Sequence, residues 1–248
     1  MKRCITSTFL ACLLVGCVTV SGQKENGQFD AVKAADARIV LGLRYFQSGD
    51  LIRARENLEL AVKYAPDYYR SLNSLAFFYE QIKEYDLAGK AYRKALRKSP
   101  QNGDVLNNYG AFLCKRGQYQ KADEYFNRAI EQPDYYLTSH SYENAAMCAL
   151  KSNDINKAEY YFKRSLDHEP GRYKSLIRLS RLEAERGEHQ QARDRLIRFH
   201  NKFGYKPESL GLLIELEQQA GNKSLVQEYT ETLKRYYPDY SDLEVHSG

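Results

Sequence analysis

The chain has 248 residues, 43% of them hydrophobic and 28% charged, with only 15 glycines and six prolines, a composition suited to packed helices. Its 37 basic residues stand against 32 acidic ones, for a formal net charge of +5. No basic run interleaved with aromatics is present, which argues against a nucleic-acid partner.

Lys2 and Arg3 form a short positive region, followed from Ile5 to Val15 by an apolar stretch too short to span a bilayer as a helix. The stretch closes in Leu14-Val15-Gly16-Cys17, which resembles the bacterial lipobox, where the cysteine is acylated and becomes the first mature residue. An ordinary signal peptide with an incidental cysteine is the alternative. Acylation at Cys17 would supply several buried chains at about 0.8 kcal/mol per methylene, enough for stable anchoring. Val18 follows, with no acidic residue to hold the protein at the inner membrane, so the periplasmic face of the outer membrane is expected. The next residues, from Val18 to about Phe29, are polar and glycine-containing and read as a tether.

Beyond the tether a small residue recurs at Ala54, Ala88, Ala122, Ala158, Ala192 and, more weakly, Val226, at intervals of 34, 34, 36, 34 and 34 residues. A fixed period of this size marks stacked supersecondary units. The first unit carries the tetratricopeptide pattern in full: Leu41-Gly42, Tyr45, a turn at Gly49-Asp50, then Ala54, Leu58, Ala61 and Pro66. Small residues allow two antiparallel helices to approach, large ones fill between them, and proline ends the second helix. Later units repeat this order with growing divergence, and a two-residue insertion falls around Leu137 and Thr138. The expected fold is all-α, a right-handed superhelical solenoid of six tetratricopeptide repeats. These signals divide the chain into a lipoprotein signal peptide (1–16), an acylated cysteine and tether (17–34), six repeats (35–68, 69–102, 103–136, 139–172, 173–206 and 207–238) and a tail (239–248).

Of five cysteines, Cys4 and Cys12 leave with the signal peptide and Cys17 takes the lipid, which leaves Cys114 and Cys148. An even number in an oxidising compartment invites a disulfide. Cys148 aligns with Phe112 of the preceding repeat, and Phe112 and Cys114 differ by about 200° around a helix. The two cysteines would therefore point from opposite edges of equivalent helices toward each other's repeat. Two buried free thiols are the other reading.

His140, His168, His189, His200 and His246 are scattered, with no helix-borne metal pair, nucleophile elbow, phosphate loop or dinucleotide fingerprint. No enzyme, small-molecule substrate, metal or cofactor is expected beyond the covalent lipid on Cys17. On the first helix of repeat one, Ile39, Leu43 and Phe46 recur at helical spacing, and Phe77 is the counterpart of Leu43 one repeat later. These four residues form a candidate partner-binding groove. Ile39 and Leu43 stand where chaperone-binding versions of the repeat grip a carboxylate, so an apolar peptide or strand is the expected ligand.

Lipobox, tether and six repeats together resemble the type IV pilus biogenesis lipoproteins PilF and PilW, the pilotins. The most specific stretches are Leu106-Asn107-Asn108-Tyr109-Gly110-Ala111-Phe112-Leu113-Cys114 and Glu143-Asn144-Ala145-Ala146-Met147-Cys148. The resemblance implies a non-enzymatic outer-membrane lipoprotein that promotes localisation and multimerisation of the pilus secretin PilQ. A general envelope adaptor recruiting peptidoglycan enzymes or a periplasmic protease is the alternative.

Overall fold

The computed structural model describes residues 30–240. The signal peptide, Cys17, all but the end of the tether and residues 241–248 lie outside that range. Twelve α-helices and no strands occur among the described residues. They pair as α1 (Ala31–Gln47) with α2 (Leu51–Tyr64), α3 (Tyr69–Gln81) with α4 (Tyr85–Lys98), and α5 (Gly103–Lys115) with α6 (Tyr119–Ile130). The remaining pairs are α7 (Thr138–Lys151) with α8 (Ile155–His168), α9 (Tyr173–Glu185) with α10 (His189–Phe203), and α11 (Pro207–Gln219) with α12 (Lys223–Tyr236). Each pair packs on the next, and the first helices also contact each other from α1 through α3 and α5 to α7 and again between α9 and α11, as in a superhelical tetratricopeptide stack.

The turn inside each pair has one recurrent device, a residue with positive φ: Gly49, Lys83, Gly117, Asn153, Gly187 and Gly221. Their spacing repeats the 34, 34, 36, 34, 34 intervals of the small residues. At three helix N-termini an Asp or Asn cap takes up an orphan helix N–H. Asp50 accepts from Arg53 N at 3.0 Å, Asn102 from Val105 N at 3.1 Å and Asp154 from Lys157 N at 3.1 Å.

Close helix contact follows from the small residues. Ala54, Ala88, Ala122, Ala158 and Ala192 are fully buried. A Cβ on Gly42 would stand 2.6 Å from Leu58 Cγ, and one on Gly110 would stand 2.9 Å from Phe126 Cε1. Leu58, Phe78, Tyr92, Phe126, Phe162, Leu196 and Leu213 fill the space so created, each contributing roughly 1.5–3 kcal/mol by leaving water.

Two features depart from the simplest register. Helix α1 starts at Ala31, inside the stretch read as tether, because Ala31, Ala34 and Ala35 are strong helix formers and Ala35 is fully buried. The inserted pair of residues lengthens the linker between α6 and α7, which runs over residues 131–137. That linker turns Tyr135 inward, where its ring packs against Gly103.

Candidate protein-binding site

The first helix of each repeat supplies one continuous surface, and its chemistry changes along the array. At the α1–α3 end it is apolar. Phe46 is half-buried and meets Phe77 and Phe78 edge-on, each with ring centroids 6.0 Å apart. Phe77 keeps 39% of its surface exposed and Val40 keeps 52%. Leu43 is half-buried against the cluster of Ala35, Ile39, Ala61 and Ala65. Ile39 itself is only 5% exposed, so it supports the groove from beneath and does not line it. The assignment of Ile39 to the exposed wall is therefore corrected. The turn of α2 into α3 closes over it through Ala61 and Ala65, and Val40, one residue on, is the exposed side chain that spacing alone missed.

Leu41 also differs from expectation: it belongs to the helix-packing face, yet is 40% exposed. Its counterparts Leu75, Tyr109, Ala145, Leu179 and Leu213 are all buried. Each of those follows a preceding repeat, and no helix precedes α1 among the described residues.

The middle of the surface is polar and internally satisfied. Asn144 Nδ2 donates to Asn107 Oδ1 at 3.0 Å, and Ser141 Oγ lies 2.9 Å from that oxygen and 3.1 Å from the Tyr135 hydroxyl. Burial pushes the Tyr135 phenol up to about 12, so it stays protonated as a hydrogen-bonding group. Beside it Arg172 grips Glu143 through two nitrogens, Nε at 2.9 Å and Nη2 at 3.2 Å, and Ser175 Oγ donates to Glu143 at 2.9 Å. Burial, aided by the Arg172 charge, holds the His140 imidazole below its ordinary range. Buried polar groups of this kind are tolerable because each finds partners.

Cys114 and Cys148 lie within this central region, on α5 and α7. The structure pairs their sulfurs as a disulfide across a sequence separation of 34, with Cα atoms 5.8 Å apart. That Cα separation suits a crosslink between two packed helices. Both cysteines are buried, in the same cluster as Phe112 and Ala149.

Farther on, α7, α9 and α11 enclose a cleft of about 470 Å³, lined by Met147, Tyr173, Lys174, Ile177, Arg178, Arg181, Glu208, Leu212, Glu215 and Tyr240 among others. Sequence reading did not single it out, since its charges fall on helix faces that ordinarily face water. No group of three or more potential metal-ligating side chains gathers among the described residues, and no helix there is long and apolar enough to cross a membrane.

Tetratricopeptide-repeat profiles match residues 39–103 and 101–169. The type IV pilus assembly protein PilF of Pseudomonas aeruginosa is 32% identical over 231 residues, covering 92% of this chain and 91% of that protein. The solved structure of Pseudomonas aeruginosa PilF superposes with a TM-score of 0.70 at 30% identity, over 85% of this chain and 95% of the other. PilW, a widely conserved type IV pilus biogenesis factor, superposes with a TM-score of 0.69 at 25% identity, over 85% and 96%. Matched to PilF over nearly the full length of both, the chain belongs to the PilF family of tetratricopeptide-repeat proteins of type IV pilus biogenesis.

Proposed function

We propose that the protein is a pilotin: an outer-membrane lipoprotein, anchored through acylated Cys17, that holds subunits of the pilus secretin PilQ and promotes their multimerisation. Family membership with PilF and PilW supports the pathway. The observation that carries the binding role is the apolar groove of Val40, Leu43, Phe46 and Phe77, at the end of the array nearest the tether in sequence. An amphipathic helix or strand of the secretin would lay its apolar side chains there. Anchoring raises the local concentration of captured subunits at the membrane, so ring assembly follows without any chemical step.

Cys17→Ala should leave folding intact and shift secretin multimers away from the outer membrane; normally placed multimers in that strain would remove the anchoring role. Val40→Glu with Phe77→Glu tests the groove more cleanly than Leu43→Glu with Phe46→Glu, because Leu43 and Phe46 also pack on the core. The first pair should abolish secretin multimers and twitching motility while the circular dichroism spectrum and melting temperature stay unchanged. Unchanged multimers would refute the groove. Affinity capture with crosslinking should return PilQ as the dominant partner, whereas a peptidoglycan enzyme or protease in its place would favour the general adaptor.

A further inference from the structure

The cleft of α7, α9 and α11 differs in chemistry from the groove near α1, and its charges are unevenly paired. Arg181 Nη1 contacts Glu215 Oε2 at 3.3 Å, and Glu143 is held by Arg172. Lys174 and Arg178, one turn apart on α9, form no hydrogen bond or ion pair among the described residues, and neither does Glu208 on α11. Lys174 sits in the first turn of α9, which carries no acidic residue of its own, so the helix dipole adds to the positive field there. Opposite, Glu215 Oε1 is buried without a hydrogen-bond partner. Between the two sides lie the apolar side chains of Met147, Ile177 and Leu212.

We propose that this cleft is a second protein-binding site, taking an extended partner segment with an acidic residue, an apolar residue and a basic residue in the pattern acid-x-apolar-x-base. The acid would meet Lys174 and Arg178, the apolar side chain would enter between Ile177 and Leu212, and the base would reach Glu208 and the partly exposed carboxylate of Glu215. Alternate residues of a strand share a face, and four residues span about 13 Å. That reach suits two neighbouring helices about 10 Å apart bearing flexible side chains. An inorganic anion would leave the apolar wall and the acidic side unused, which is why a polypeptide is the occupant. The site is separate from the groove assigned to the secretin, so the protein would hold two segments at once.

The test is an NMR titration of the full mature chain with the blocked peptide Gly-Asp-Ser-Leu-Ser-Lys-Gly. Saturable shifts confined to α7, α9 and α11, with a dissociation constant below about 1 mM, are expected. Arg178→Glu should weaken binding at least tenfold, Arg178→Lys should retain most of it, and Phe77→Glu should leave it unchanged. A peptide with serine in place of leucine should bind at least fivefold more weakly. No saturable shift with the folded wild-type chain overturns the proposal. So does binding that appears only after residues 241–248 are removed, since the cleft would then be occupied by the chain itself. Because the readout is direct peptide binding, failure here leaves the secretin groove standing, and failure of secretin assembly in the groove variants leaves this cleft standing.

Discussion

At Gly103 a single methyl group would stand 2.3 Å from Tyr135 Cδ2 and 2.4 Å from Cγ, well inside van der Waals contact. The linker before α7, lengthened by the insertion that follows Tyr135, places the Tyr135 ring against α5 and so seals a gap between repeats. Gly103→Ala should therefore destabilise the fold by about 1–3 kcal/mol, the usual cost of overpacking. Urea denaturation would measure the loss, and a double-mutant cycle would assign it: in a Tyr135→Ala background the same glycine substitution should cost little. Equal losses in both backgrounds would place the effect in the α5 backbone instead of the ring contact. Lys83 makes a complementary point. It holds φ of 65° at a turn position where four repeats use glycine, a conformation that costs an L-residue with a Cβ roughly 1–2 kcal/mol. Part of any gain from glycine is lost to unfolded-state entropy, so Lys83→Gly should raise stability by about 1 kcal/mol or less. Asn153→Gly should gain less, since asparagine tolerates this region. A loss of stability at Lys83 would mean that its side chain contributes to the folded state.

Between elements, the period and small residues announced helix pairs, and the proline and glycine stops bounded them. The groove was legible only in part. Ile39, Leu43 and Phe46 do share one face of α1, but which level of that face meets water depends on where the α2–α3 turn lands. Nothing local to α1 encodes that Ala61 and Ala65 cover Ile39 and leave Val40 bare. The cleft was not legible at all: Met147, Arg178 and Leu212 come from three helices, and each reads alone as an ordinary surface or packing residue. Cysteine arithmetic, by contrast, singled out Cys114 and Cys148 because they are the two cysteines outside the N-terminal stretch read as signal peptide and lipobox. A disulfide closing a loop of 34 residues should stabilise by about 4 kcal/mol on the chain-entropy model. Reduction, or Cys114→Ser with Cys148→Ser, should lower the urea midpoint accordingly. Labelling of both thiols in the native, unreduced protein would show that the pair is not oxidised.

Across the whole array, stability should be uneven, because the core is not one continuous body. The largest buried cluster runs from Ala54 through Phe126 and Phe162 to Leu182 and contains both cysteines. A separate cluster of Leu176, Ala192, Leu196, Phe199, Leu212, Leu213 and Leu216 holds the last two repeats together. Helix α12 contributes just one buried residue, Leu233. In a solenoid each repeat is stabilised by its own packing and that of its neighbours, so a terminal unit with little buried surface opens first. Native-state hydrogen exchange should show amides of α10, α11 and α12 opening at lower free energy than those of α5 to α8. Reducing the disulfide should lower protection in α5 to α8 by more than in α10 to α12, narrowing the gradient. Uniform protection along the chain, or an equal drop everywhere on reduction, would instead mean that the array unfolds as a single cooperative unit. A gradient of the expected sign has a functional consequence: the cleft between α9 and α11 lies in the weaker part. A partner segment bound there should raise the protection of α11 and α12 while leaving α5 and α6, which do not line the cleft, unchanged, since ligand binding stabilises the repeats it touches.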